Sequence, residues 1–308
     1  MTFLKETEPI PTNISPETDV APNEGISIER IKQQALLRRI RKARELAARM
    51  QIAPDGTRVF IRFSPVQRRE HQIMLTTFII LAVTGLIQRF SQSTISLILI
   101  STLGGADTVR TIHHLTAIAF ILVSVYHVWE ILVLWVVKRE RGSMWPRWQD
   151  AKDLFQMVKF NMGLASTRPE FDRFSVEEKL EYLALVWGTV LMIITGLIMW
   201  FPITATSILP GDAIPVSRAL HGWEAILATL AILTWHMYHV VIKEKNRSIF
   251  TGIMTEQEMK HNHPLEYRRI LAAHKFLQKI AAEQNNGDKS TPAAEDTYEM
   301  VQAIKKAG

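Results

Sequence analysis

RFSPVQRREHQIMLTTFIILAVTGLI, residues 62–87, and RFSVEEKLEYLALVWGTVLMIITGLI, residues 173–198, are one motif written twice. At a constant offset of 111 they match Arg62/Arg173, Phe63/Phe174, Ser64/Ser175, Glu70/Glu181, Thr84/Thr195 and Gly85/Gly196. The match continues downstream, where Arg110-x-x-His113 answers Arg218-x-x-His221 at an offset of 108. Similarity at a fixed spacing marks a duplicated unit. Each copy turns from charged to apolar at the same point, so each unit reads as a helix pair entering a membrane from the same side. Two such pairs are related by an axis along the membrane normal.

The whole-chain averages conceal this. The 308 residues are 47% hydrophobic and 21% charged, with a net charge of +6, which describes an ordinary basic soluble protein. The charges are segregated, however. None lies in 72–88 or 182–211, only Glu130 lies in 111–137, and only Glu224 lies in 219–242. A bilayer core of ~30 Å needs about 20 residues of helix. The expected fold class is therefore all-α integral membrane: a four-transmembrane-helix bundle of two repeated hairpins, spanning about 71–89, 111–137, 180–202 and 219–242. Around the membrane domain, 61–245, the reading gives a disordered polar tail over 1–25 and a basic amphipathic helix over 26–60. A C-terminal tail over 246–308 holds one helical stretch, HPLEYRRILAAHKFLQKIAAE. Residues 93–107 are apolar but too short to span, and are expected to cap the outer surface.

Lys and Arg set the orientation. The segments before the first span, between the second and third, and after the fourth carry 13, 9 and 11; the other two loops carry 2 and 1. Under the positive-inside rule both termini are cytoplasmic, in a bacterial-type inner membrane. That topology accounts for the basic charge without a nucleic-acid partner. The polar N-terminus lacks the apolar core of a cleavable signal peptide. With no cysteine, the chain has no disulfide, no cysteine-ligated iron–sulfur cluster and no covalently attached c-type haem.

The second span carries His113, His114 and His127, the fourth carries His221, His236 and His239, and His71 opens the first. Ionisable groups inside a membrane mark function, although a single one often serves only an interhelical hydrogen bond. Two similarly spaced pairs point further. His113 to His127 is 14 residues, ~21 Å of helix, and His221 to His236 is 15 residues, ~22 Å. Helices two and four run in the same direction, so His113 can face His221 near the outer surface and His127 can face His236 deeper. Each pair can then supply both axial ligands of one haem b, giving two stacked haems. His239 returns to the face of His221 but lies ~6 Å deeper than His127. A π-bulge near His236 would correct that residue's angle. Arg110 and Arg218 each sit one turn above an outer histidine, where guanidinium can pair with haem propionates. Gly85, Gly188 and Gly196 would admit a flat macrocycle, or simply close helix packing. Glu130 and Glu224 each follow a candidate ligand by three residues and can orient imidazole or carry protons.

On QRREHQIMLTTFIILAVTGL, HHLTAIAFILVSVYH, RPEFDRFSVEEKLEYLALVWGTVLMIITGL, HGWEAILATLAILTWHMYHV and GIMTEQEMKHNHPLEY, the chain resembles a known group over roughly residues 60–267. These are the cytochrome b subunits of membrane-bound formate dehydrogenases (gamma subunits), with relatives in thiosulfate reductases and nickel–iron hydrogenases. The resemblance implies a four-helix di-haem subunit passing electrons between a periplasmic redox partner and membrane quinone or menaquinone. It implies His113 and His221 as outer ligands, but His71 and His236 as inner ones. His127 is an additional histidine with the spacing of ordinary respiratory cytochrome b. The inner ligand thus stands between His127 and His71, with His71 also a candidate quinone site. A third haem on His71 and His239 is the remaining option. His114 occupies a position that is often arginine in such subunits.

The function these features imply is electron transfer between quinone or quinol and a partner subunit carrying iron–sulfur clusters or c-type haems. A haem- or metal-handling transporter and a non-redox membrane anchor are the competing classes. The paired histidine-plus-arginine symmetry argues against both.

Overall fold

The computed structural model describes residues 23–137 and 142–285. The expected disordered tail therefore lies almost wholly outside the described residues, as does the polar end after residue 285. Helix α1 (Asn23–Ala47) leads into strands β1 (Met50–Ile52) and β2 (Arg58–Ile61). The first half of the membrane domain is α2 (Pro65–Arg89), the short α3 (Thr94–Thr102) and α4 (Ala106–Val136). After α5 (Trp148–Asn161) the second half repeats it as α6 (Val176–Trp200), α7 (Pro202–Ile208) and α8 (Ala213–Ala231). The α8 rod continues to Lys243 through π-helical turns at Ile232–His236 and Tyr238–Lys243. Helix α9 (Ser248–Thr251), strand β3 (Ile253–Thr255), α10 (Glu256–Asn262) and α11 (Pro264–Asn285) complete the described chain.

Among the described residues, four helices are long and apolar enough to cross a membrane: α2, α4, α6 and the α8 rod. Each begins ahead of its apolar stretch, and in α2 and α6 the first turn is fixed by polar capping. Ser64 and Ser175 accept from the backbone N–H of Gln67 and Glu178, whose side chains accept in return from the serine N–H groups. This reciprocal capping box satisfies N–H groups that have no partner within the helix. The repeated RFS motif is thus a repeated helix start. Helix α2 packs on α4, α6 on α8, and α2 on α8, so the duplicated hairpins join along one seam. Large apolar side chains such as Leu122, Trp129, Trp187 and Leu227 face outward, as a lipid solvent requires.

The π-helical turn at Ile232–His236 supplies the widening that the His236 spacing calls for. Its counterpart in α4 is regular helix, which explains why the repeat offset grows from 108 at His113/His221 to 109 at His127/His236.

Beside the starts of α2 and α6 lies a small second layer. The expected helix over 26–60 ends at Ala47 because Asp55-Gly56 turns the chain into a hairpin. Thr57 donates to Asp55 Oδ1 from both its N–H and its hydroxyl, and Gly56 takes φ +81°, a conformation glycine adopts without Cβ strain. Strand order is β1-β2-β3, antiparallel, with Phe60 opposite both Met50 and Met254. Phe60, Met254, Met259 and Ile270 form its core, while Ala43, Ala47 and Ala273 close α1 onto α11.

The repeated arginines clasp the two halves. Arg62 donates to the carbonyl of Arg173, and Arg173 Nη2 donates to the carbonyl of Arg62 at 2.9 Å. Arg62 also pairs with Glu178 at 2.9 Å, and Arg49 with Glu266 at 2.7 Å. Burial and the nearby Arg49 charge push the Arg173 guanidinium down to about 10.

Candidate haem-binding site

Helix α4 presents His113 and α8 presents His221 to each other, with ring centres 6.4 Å apart and ring planes at 66°. A metal-bound imidazole nitrogen lies ~2 Å from the metal, with its ring centre about 1.1 Å behind. Two imidazoles on opposite sides of one iron therefore have centres about 6.2 Å apart by the same geometry. The observed 6.4 Å leaves the room between the rings that one metal ion would need.

The neighbouring helices decide which ring nitrogen is free. His113 Nδ1 lies 2.8 Å from Thr84 Oγ1, and His221 Nδ1 lies 2.9 Å from Thr195 Oγ1. Each threonine hydroxyl already donates within its own helix, to Ile80 O and Leu191 O, both at 2.7 Å. A hydroxyl has one hydrogen. Each threonine consequently accepts from Nδ1–H, which leaves the Nε2 lone pair of each histidine for a metal. Thr84 and Thr195 are 4% and 3% exposed, so water does not compete. The next residues, Gly85 and Gly196, lie under the same rings; a methyl group at either would sit 3.3 Å from the imidazole Cε1. The Thr-Gly pairs were visible in the repeat, but their contact with the histidines of the following helix was not.

Around the His113–His221 pair, Arg110 pairs with Asp107 at 3.1 Å, and Arg218 is exposed. A third cation, missed in the sequence, approaches α8 from α2. Arg89 crosses from α2 to α8, over Trp223, with Nε 2.9 Å from where Gly222 would carry a Cβ. His114 turns away and stacks on Trp200, ring centres 4.0 Å apart.

Nearer the β-sheet the duplication has diverged. In the second half, His236 Nδ1 meets Glu181 at 2.8 Å, and His239 Nδ1 meets Trp235 O at 3.1 Å and Glu181 at 3.5 Å. His71 lies within electrostatic reach of His236, and its Nδ1 is buried without a hydrogen-bond partner among the described residues. In the first half, His127 has both nitrogens engaged: Nδ1 with Glu70 at 3.4 Å and Nε2 with the Tyr182 hydroxyl at 3.1 Å. Tyr182 is the repeat equivalent of His71, and Glu130 that of His239. Glu224 lies against Gly188, its Oε1 2.7 Å from where a Cβ would stand.

The chemistry of this donor set fits haem b: two imidazoles facing each other with Nδ1 held by threonine, glycines beneath them and an apolar bundle around them. The comparisons agree. The family model described as prokaryotic cytochrome b561 matches residues 62–255. Curated relatives include the formate dehydrogenase cytochrome b556(fdo) subunits of Escherichia coli strains K12 and O157:H7. Each is 24% identical over 217 residues, covering 68% of this chain and 92% of the relative. With four apolar helices and a matched imidazole pair inside the matched segment, this chain belongs to the prokaryotic cytochrome b561 family and is a multi-pass membrane cytochrome of the b type.

Proposed function

We propose that this chain is the quinone-reactive membrane subunit of an oxidoreductase complex, holding two bis-histidine haems and exchanging electrons between quinone and a redox partner. The observation that carries the reading is the His113–His221 pair, whose tautomers are set by Thr84 and Thr195. Bound haem b supplies reversible one-electron chemistry at its iron. The chain's own residues prepare for it. His113 and His221 would hold the outer haem, and Arg110, Arg218 and Arg89 would supply cations for its propionates.

For the inner haem we assign His71 with His236. The support is that His71 has a buried Nδ1 without a hydrogen-bond partner among the described residues and lies within electrostatic reach of His236, while His127 is held at both nitrogens. Glu181 orients His236 by accepting from Nδ1, as carboxylates commonly do for metal-bound imidazole. Quinone is taken up beside the inner haem, at the end of the bundle where Glu181 and His239 can exchange protons. The positive-inside bias puts that end at the cytoplasm, with both termini. The outer haem then faces a periplasmic or membrane-associated subunit bearing iron–sulfur clusters or c-type haems. This chain has no cysteine to hold either.

The test is pyridine-haemochrome quantification on the purified protein and on His71→Ala, His113→Ala and His127→Ala. The expected result is two haems in the parent and in His127→Ala, and one in each of the other two. A parent protein that binds no haem would overturn the reading. With haem present, a menaquinol analogue should reduce the b-type absorption bands.

A further inference from the structure

The duplication leaves a second inner corner that the two haems do not use. Its members are Glu70 of α2, His127 and Glu130 of α4, and Tyr182 of α6. One ligand atom each from Glu70, His127 and Glu130 lies within 4.8 Å of the other two. Glu70 is 8% exposed, and its Oε1 has no hydrogen-bond partner among the described residues. Two carboxylates this close in a low-dielectric setting repel strongly unless a positive charge lies between them.

The equivalent corner in the second half shows what changed. There Glu181 and His236 stand with two more imidazoles, His71 and His239; here Tyr182 and Glu130 take their places. Imidazole donors have been exchanged for oxygen donors around a retained Glu–His pair. Haem iron of the bis-imidazole kind needs two facing histidines, and this corner has one. One imidazole nitrogen with two carboxylates is instead a donor set for a small divalent cation. Three protein ligands with an open fourth position is a common zinc arrangement. Tyr182 completes it: by accepting from Nε2–H it would leave the Nδ1 lone pair of His127 directed at the carboxylates. Half-buried His127 and Glu130 give the ion a way in.

We infer that Glu70, His127 and Glu130 form a divalent-cation site of the zinc class, distinct from both haems. This rests on His71, not His127, being the inner haem ligand. The geometry allows Zn²⁺ to bridge the two carboxylates, balance their charge and tie α2 to α4 at the β-sheet end of the bundle.

The experiment is equilibrium dialysis of the purified, haem-loaded full chain against Zn²⁺, followed by metal analysis and haem quantification on the same samples. The parent should bind one Zn²⁺ per chain that excess Mg²⁺ does not displace. Glu130→Gln and His127→Gln should each weaken binding by at least ~10-fold while keeping both haems. Zinc uptake that neither substitution changes, with both haems retained, would overturn the cation site alone. Loss of a haem in His127→Gln would overturn both the site and the assignment of His71. Glu130→Gln, outside the proposed iron ligands, still decides for or against the cation site where His127→Gln fails to fold.

Discussion

Thr84 and Thr195 each spend their single hydroxyl hydrogen on a backbone carbonyl, and that small fact sets the chemistry of the imidazole above them. Replacing either with valine keeps the volume and removes the acceptor. The Nδ1–H of His113 or His221 is then buried without a partner, and the ring is free to turn. Loss of a metal ligand's supporting partner typically costs 10–100-fold in metal affinity. We expect Thr84→Val and Thr195→Val each to weaken outer-haem retention by about that factor. The outer midpoint potential should also rise, because an imidazole without a hydrogen-bond acceptor donates less charge to ferric iron. Redox titration of the b-type bands checks both effects. An outer haem unchanged in retention and potential would show that the threonines only pack. That His113 faces His221 was legible from the spacing, since a helix fixes depth and angle. Their partners were not, because sequence periodicity does not reveal which neighbouring helix a side chain meets. Arg89 stayed hidden for the same reason: its target, Gly222, lies on another helix of the bundle.

Helix starts and turns carry the next level of order. Gly252 adopts φ +85°, and its carbonyl accepts from the N–H groups of both Arg62 and Phe63, joining the approach to α2 to the start of β3. A Cβ there would also lie 3.3 Å from Phe63 O. Gly252→Ala should therefore destabilise the sheet layer by about 1–2 kcal/mol, the cost of a left-handed L-residue. Hydrogen exchange localised to β2 and β3, with haem content intact, is the expected signature. The membrane helices and their number could be read directly from the apolar runs, because a bilayer enforces length. The sheet could not: its strands are three or four residues long and alternate too briefly to stand out from a basic helix. The Asp55-Gly56 pair, a known hairpin signal, was the available clue.

For the molecule as a whole, stability and orientation both follow from the β-sheet end. His263 is 1% exposed, its Nδ1 donates to the carbonyl of Asp172, and its Nε2 has no partner among the described residues. Burial, with the Arg62 charge second, holds it down to about 4, against 6.5 for an ordinary histidine. Between those values the unfolded chain binds the extra proton, so the contribution is full above pH 6.5 and is lost as the pH falls toward 4. The loss amounts to roughly 3 kcal/mol. Thermal unfolding of the haem-loaded protein should move to lower temperature over that window; a flat profile would exclude His263 as the cause. Orientation is tested with the cysteine-free background. In spheroplasts, a membrane-impermeant maleimide should label Ser101→Cys on α3, and Thr57→Cys on the β1–β2 turn only after lysis. The reverse pattern would place the termini outside. Finally, the π-helical turn at Ile232–His236 means that the two halves no longer count residues alike: α8 carries one residue more than α4 between its two histidine levels. It behaves as an insertion absorbed by the helix. Deleting Leu233 should let the rod relax to regular α-helix and still cross the membrane. His236 would then follow His221 by 14 residues, the spacing of His127 after His113, and keep its face of the rod. Such a protein should insert normally and keep its haem content, so that the two halves count residues alike again; loss of haem would show that the widened turn itself, and not the register, holds His236 in place.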